Sequence, residues 1–392
     1  MKLFTIIAAA IVACSPLAAW AADTQVGSGE VNGYKLVWQD LFDAAELNPA
    51  RWNIEVNGDG GGNSELQYYT DREENVRLGD DGLGNGCLIL TARRENYLGK
   101  NFTSGRITSK NLIAFKHGKI EASIKLPSTA NGLWPAFWMM GNDYDMVGWP
   151  RCSETDIMEF GHQDAYRAGT QDRYFNGACH WGEGWPNPSY ALAHTHSYSL
   201  QDGQFHLYTC IWDENSIAMY CDLDRFPDQQ PYYKMDIPDN QPGDKSYPGN
   251  YFHKENFILF NLAVGGHFPG IYNASGVTAL NDGNDHKQAM YVNYVKIYQK
   301  GTPDESQFFM DPGDPQPASG LASALTSDFR ISVSAGRIAC PGALRIEVLD
   351  PSGRAVLAVD SDSAETSSIR PGVYLVRVFD AAGNSETAKI IL

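Results

Sequence analysis

The sequence predicts an all-β protein: two large antiparallel sheets packed as a sandwich with one concave face, followed by a small β-sandwich at the C-terminus. Three observations carry this. Between Val31 and Gln299, short β-like runs broken by Gly, Asn, Asp and Pro succeed one another with almost no helical periodicity. The composition is turn-rich and aromatic, with 38 glycines, 20 prolines and 12% Phe, Trp and Tyr in 392 residues. Two late runs, Leu344–Leu349 and Val373–Val378, alternate apolar and polar residues as half-buried strands do.

Acidic residues outnumber basic ones 47 to 30, for a net charge of -17. That surface repels polyphosphates, so nucleic acid is not expected as a partner. Hydrophobic residues at 43% and charged residues at 20% fit a globular protein. Beyond the N-terminus no run reaches about 18 consecutive apolar residues, the length that would suggest a membrane span.

Residues 1–21 read as an export signal: Lys2 supplies the positive charge, Phe4 to Ala13 the apolar stretch, and Ala19-Trp20-Ala21 a small-x-small cleavage site. Ile11-Val12-Ala13-Cys14 offers a competing lipoprotein reading with Cys14 acylated. Residues 22–300 then form the main domain. Its strand runs include Lys35–Trp38, Leu88–Thr91, Gly118–Lys125 and Phe205–Cys210. In the third of these, Ile120, Ala122 and Ile124 alternate with Lys119, Glu121 and Lys125.

The most informative segment runs from Trp149 to Phe160 and contains Glu154, Asp156 and Glu159. Residues two apart on a strand share a face, so Glu154 and Asp156 point the same way, while Glu159 falls on the opposite face. One extra residue, a β-bulge near Ile157-Met158, restores the phase and brings Glu159 to the other two. The outer Cα atoms then lie roughly 13 Å apart, about four strand rises. Retaining glycosidases need about 5–5.5 Å between two carboxyl groups and inverting ones more. Backbone spacing allows either. Crowding three acids raises the pKa of at least one, which keeps a proton available for a leaving oxygen. A solvated acidic edge or a calcium site would use the same residues.

The surroundings favour the catalytic reading. Five of the nine tryptophans lie here: Trp134, Trp138, Trp149, Trp181 and Trp185. Indole faces pack on the C–H faces of sugar rings. Trp134 and Trp149, each beside a proline, read as substrate contacts; Trp138 fits core and cleft equally.

Removing the signal leaves Cys87, Cys152, Cys179, Cys210, Cys221 and Cys340, an even count with no close metal-type spacing. Buried free thiols are expected, with no structural zinc. His194 and His196 read as a surface loop. Residues 301–327, with Thr302-Pro303-Asp304-Glu305 and Asp311-Pro312-Gly313-Asp314-Pro315, read as a linker. Residues 328–392 form the small strand-rich unit, with turns at Pro351-Ser352-Gly353 and Ala382-Gly383-Asn384. That unit resembles the C-terminal sorting domain of the Bacteroidota type IX secretion system, through Leu349-Asp350-Pro351-Ser352-Gly353-Arg354 and the final Lys389-Ile390-Ile391-Leu392. A carbohydrate-binding β-sandwich is the alternative.

Several blocks in order resemble glycoside hydrolase family 16, in the laminarinase-like branch with the bulged acidic strand. They are Asn63-Ser64-Glu65-Leu66-Gln67-Tyr68-Tyr69-Thr70, Ser104-Gly105-Arg106-Ile107-Thr108-Ser109-Lys110, Gly132–Met139 and Asn261–Gly266, and the match covers residues 34–299. The resemblance implies a β-jelly-roll sandwich and endo-hydrolysis with retention of configuration. It implies Glu154 as nucleophile, Glu159 as general acid/base and Asp156 as the assisting acid. It also implies sugar contacts at Asn63, Arg106, Trp134, Trp138 and Trp149, with His180 near the cleft. Ser153 and Thr155 stand where laminarinases usually carry Gly and an aliphatic residue. Asn293 replaces an Asp that helps bind calcium in many relatives, so no cofactor or metal is expected. The stretch Gly161–Ala193 is longer than a minimal laminarinase needs.

The function expected is a secreted or cell-surface endo-β-glucanase of a Gram-negative bacterium, acting on β-1,3- or mixed β-1,3/1,4-glucan. An endo-β-galactosidase on mucin-type or keratan-type glycans would use the same acids, as would a transglycosylase. A non-catalytic glycan-binding protein is the alternative of a different class. The expected partners are the polysaccharide and, through the C-terminal unit, the secretion machinery, with the chain as a monomer.

Overall fold

The computed structural model describes residues 33–81, 86–238, 240–281, 283, 285–311, 332–334, 337–340, 342–349, 355–367, 369, 373–379 and 385–391. The signal segment with Cys14, the linker from residue 312, the turns at 351–353 and 382–384, and most of the 349–354 motif lie outside the described residues. The chain divides into two compact units, with the boundary between Ser319 and Gly320.

The large unit is built of two sheets. The path through the ten-stranded sheet is Tyr233–Asp236, Ser216–Cys221, His206–Trp212, Gly118–Lys125, Lys287–Gln299, Gly86–Tyr97, Lys100–Ser104 and Gln67–Tyr69. Lys35–Asp40 and Val76–Asp80 pair beside it. All neighbours are antiparallel except Gln67–Tyr69 with Lys100–Ser104. The nine-stranded sheet runs Ser189–Thr195, Tyr174–His180, Glu154–Phe160, Leu133–Gly141, Asn256–Val264, Arg106–Thr108 and Asn53–Ile54. Two short helices, Tyr144–Val147 and Gln163–Ala168, sit on its loops.

The strand pattern is the expected one. Ile120, Ala122 and Ile124 of the first sheet are buried against Phe137, Met139, Ile157, Met158 and Phe160 of the second. Period-2 alternation sends the other residues of those strands, among them Trp134, Trp138, Glu154, Asp156 and Glu159, to the opposite face. Asn256–Val264 is buried along its whole length, because both faces of the sheet are covered there. Its cleft-side residues Phe257 and Leu259 pack with Met140 and Cys152 in a separate small cluster.

The linker boundary needs correction. Ser306–Phe309 is a strand paired with Ile113–Lys116. Phe309 lies 6.2 Å from the Trp38 ring, and Asp311 accepts from Asn48 at 2.6 Å and Arg51 at 3.1 Å. The large unit therefore continues through Asp311, not Lys300. Four residues between proline-rich turns are too short to show alternation, so the edge strand was invisible in the pattern. A smaller departure is that His194 lies on the strand Ser189–Thr195 and not in a loop.

The small unit carries a three-stranded sheet, Ser332–Ser334, Arg337–Ala339 and Ser363–Glu365, and a four-stranded one, Ala355–Val359, Arg345–Leu349, Val373–Phe379 and Ser385–Ile391. Its core gathers Ile338, Cys340, Ala343, Ile346, Val348, Ala364, Val376 and Val378. All six cysteines among the described residues are buried, and the five of the large unit are free thiols.

Candidate active site

The strand Glu154–Phe160 carries a bulge at Ile157-Met158. Against Tyr174–His180, Asp156 faces Ala178 and Glu159 faces Asn176, so two residues oppose the single Gly177. Against Leu133–Gly141, Met158 faces Phe137 and Asp156 faces Trp138. The inserted residue sends both Ile157 and Met158 into the core and brings Glu159 onto the face of Glu154 and Asp156. A bulge interrupts the ladder, and the Tyr232 hydroxyl donates to the Ile157 carbonyl there. The strand begins just after Ser153, which is buried with φ at 65°. That left-handed conformation favours glycine, so Ser153 adopts it at a steric cost.

Each outer carboxylate accepts a hydrogen bond from a tryptophan. Trp149 Nε1 donates to Glu154 at 2.9 Å, and Trp134 Nε1 donates to Glu159 at 2.9 Å. Trp134 is stacked on Phe268, with centroids 4.9 Å apart and planes at 11°. Asp156 is buried between the two glutamates, with His180 Nε2 at 3.5 Å from its carboxylate. His180 is the cross-strand neighbour of Glu154.

Trp138 lies on the cleft face, half-buried. Its Nε1 donates to Asn261 at 2.7 Å, and the Arg106 guanidinium stands 4.9 Å over its ring. Arg106 is also 3.2 Å from Glu55, an ion pair without hydrogen-bond alignment at Nε. Beneath it, buried Glu65 accepts from Gln67 at 2.6 Å and Tyr69 at 3.1 Å. Asn63 sits on the loop before Glu65, and its carbonyl accepts from the His267 backbone at 2.9 Å. That loop lies at the Trp134 end of the sheet, where Leu66 N bonds Val264 O.

The structure thus joins Glu154, Asp156, Trp149 and His180 by direct contact, and holds Glu159 with Trp134 on the same face. Arg106 and Trp138 adjoin them through ring and charge contacts, and Asn63 stands on a neighbouring loop. Of the five clustered tryptophans, Trp181 is core: it is 7% exposed and its Nε1 bonds Ser246 O at 2.7 Å. Phe268, Asn261, Glu55 and Tyr232 were not legible as site residues. Phe268 lies in the run Gly265-Gly266-His267-Phe268-Pro269-Gly270, whose glycine density signals a tight loop beside the sheet.

Electrostatics separate the three acids. Burial, then the charge on Glu154, pushes Glu159 up to about 8, against the pull of the Trp134 N–H. Burial, then the charges of Glu154 and Glu159, pushes Asp156 well above the carboxylate range. Glu154 is raised by burial, but His180, the Trp149 bond, Arg106 and Asp156 all oppose that rise. Glu154 thus has the most support for ionisation, Glu159 keeps a proton near neutrality, and a protonated Asp156 can donate to Glu154.

Ligand atoms of Glu154, Asp156 and His180 lie within 4.8 Å of one another. A cation held there would occupy the carboxylate with the most support for ionisation. Asn293, where the resemblance implies an Asp that helps bind calcium, donates through Nδ2 to the Gly86 carbonyl at 3.0 Å.

Comparison with known proteins gives the family. The profile of glycosyl hydrolases family 16 matches residues 64–246. A family 16 enzyme of the Bacteroides ovatus mixed-linkage glucan locus, solved with a G4G4G3G product, is 40% identical, with a TM-score of 0.58 over 67% of this chain and 100% of that one. The β-glucanase of Rhodothermus marinus is 31% identical over 68% of this chain and 85% of its own length. Glucan endo-1,3-β-glucosidase A1 of Niallia circulans is 31% identical over 69% of this chain, which spans only 38% of that relative. The chain belongs to glycosyl hydrolases family 16.

Proposed function

We propose that the protein is a retaining endo-β-glucanase acting on mixed β-1,3/1,4-glucan. The observation that carries the reading is the bulged strand, which presents Glu154 and Glu159 on one face, each hydrogen-bonded to its own tryptophan. The Glu154 carboxylate attacks the anomeric carbon and forms a glycosyl ester, while the bond to the aglycone oxygen breaks. Glu159 gives its proton to that oxygen. In the second half-reaction Glu159, now a carboxylate, takes a proton from water as the water oxygen attacks the anomeric carbon and releases Glu154. Asp156 donates a hydrogen bond to Glu154 and positions it. Trp138, Trp134 and Trp149 offer indole surface to the sugars, and Arg106 and Asn63 offer hydrogen-bond donors.

The 40% identity to the Bacteroides ovatus enzyme, against 31% for the Niallia β-1,3-glucosidase, supports mixed-linkage glucan over pure β-1,3-glucan. Export and surface placement rest on residues 1–21 and on the strand-rich C-terminal unit as a secretion signal; cell fractionation with and without residues 328–392 tests them.

The test of activity is a reducing-end assay of the full chain and Glu154→Gln on barley β-glucan, laminarin, a poly-N-acetyllactosamine glycan and agarose, with products sized. Barley β-glucan cut to short oligomers, with turnover abolished in the variant, is the expected result. Turnover only on galactose-containing glycans would overturn the substrate. Glucan binding without turnover would make the protein a binder.

A further inference from the structure

Beyond the cleft, the turn between the strands Tyr174–His180 and Ser189–Thr195 presents an unusual surface. Trp185 at its tip is 84% exposed. A single exposed indole is ordinary on a protein surface; this one stands out because the turn that carries it follows His180, the cross-strand neighbour of Glu154, and is braced. The turn is not a loose excursion. Arg151 Nε donates to Glu183 O at 3.1 Å and pairs with its carboxylate at 3.3 Å, which ties the turn to the segment carrying Trp149. Trp181 N bonds Pro188 O at 3.1 Å, and Trp181 Nε1 bonds Ser246 O at 2.7 Å.

The segment that Trp181 reaches is also braced. Asn250 Nδ2 donates to the carbonyls of Gln241 at 3.0 Å and Asp244 at 2.6 Å, and Tyr251 OH donates to Lys245 O at 2.7 Å. Between turn and segment lies a shallow cavity of about 300 Å³ lined by Glu183, Asn240, Pro242, Lys245, Asn250 and Tyr251. The side chains of Asn240 and Lys245 are exposed. A cavity of amide, ammonium, carboxylate and phenol groups, whose Glu183 lies two residues from the exposed indole on the same turn, matches the surface of a pyranose, apolar on its C–H face and ringed by hydroxyls.

The sheet order gives this surface its direction. Arg106 and Trp138 lie on the side of the acidic strand toward Leu133–Gly141, and the Trp185 turn lies on the other side, next to His180. A chain crossing the acidic strand from Trp138 therefore heads toward Trp185. We propose that Trp185 and the Glu183–Asn240–Lys245 cavity form a distal subsite for neutral β-glucan, which engages chains longer than those needed for cleavage. The proposal rests on the glucanase reading above.

The test compares wild type with Trp185→Ala, Trp185→Phe and Lys245→Ala in the full chain, on barley β-glucan and on a mixed-linkage tetrasaccharide. Trp185→Ala is expected to raise KM for the polymer roughly fivefold. Its kcat and its kinetics on the tetrasaccharide stay at wild-type values. Trp185→Phe recovers most of the loss, and Lys245→Ala shows a smaller rise confined to the polymer. An equal loss on both substrates, or no loss on the polymer, overturns the subsite. Wild-type turnover of glucan reports separately on the parent reading. Retention of Glu154→Gln in β-glucan gels, with and without Trp185→Ala, decides the subsite even if turnover is absent: weakened retention supports it and unchanged retention overturns it.

Discussion

Replacing Trp134 by Phe isolates the part of the site that sets when the general acid holds its proton. The ring is retained against Phe268, so the stacked pair at 4.9 Å and 11° has no reason to move, and only the Nε1–H to Glu159 is lost. That N–H stabilises the ionised carboxylate. Removing it raises the pKa of Glu159 further above its ordinary value. A hydrogen bond to a charged group contributes about 1.5–3 kcal/mol, which corresponds to about one to two pH units. Glu159 already stands at about 8, so in the variant it titrates near 9 to 10. In the proposed mechanism glycosylation requires protonated Glu159, so kcat/KM is expected to fall as pH rises through that value. The wild-type alkaline limb is therefore expected near pH 8, and the Trp134→Phe limb about one to two units higher. Weaker sugar packing lowers the whole profile without moving its limbs. The assay is kcat/KM on soluble β-glucan from pH 4 to pH 10. An alkaline limb that stays in place, or moves down, would refute the assignment of Glu159 as the group controlled by Trp134.

Two further outcomes are expected. Tyr232→Phe leaves the bulge carbonyl of Ile157 without its hydroxyl donor and should cost about 1–3 kcal/mol of stability in denaturant unfolding, with kcat reduced more than KM because the bulge sets Glu159 relative to Glu154; wild-type stability and kcat would count against that role. The second concerns buried His206, held by Asp222 at 2.7 Å and Asp202 at 3.2 Å. Burial opposes its charge, but the bonds and charges of Asp222 and then Asp202 prevail, and its pKa is raised. This stabilisation is fully present below the unfolded histidine value of about 6.5 and is lost as pH rises through the higher folded value. The unfolding midpoint of the wild type should fall on that rise. His206→Phe removes one partner of buried Asp222, which keeps the Tyr198 hydroxyl, the Leu207 N–H and Arg225, and should lose about 1–3 kcal/mol at pH 6 and show a flatter pH dependence; equal slopes would refute the charge assignment.

Local pattern was enough to place the three acids on one face. Period-2 geometry puts Glu154 and Asp156 on one face, and a one-residue insertion is the economical way to add Glu159, so the bulge at Ile157-Met158 followed from the spacing alone. Alternation likewise separated the core residues Ile120, Ala122 and Ile124 from half-buried Lys119, Ser123 and Lys125, although Glu121 is buried as well. Contacts between segments distant in the chain were a different matter. Which indole binds which carboxylate, Phe268 beneath Trp134, Glu55 beside Arg106, and Tyr232 on the bulge all join residues whose proximity arises only when the sheets assemble. The same holds for Ser306–Phe309, a strand only by virtue of its partner Ile113–Lys116. The identities of the three acids belong to the sequence. Their order of ionisation belongs to the tertiary structure, because desolvation and neighbouring charge are properties of the assembled cleft.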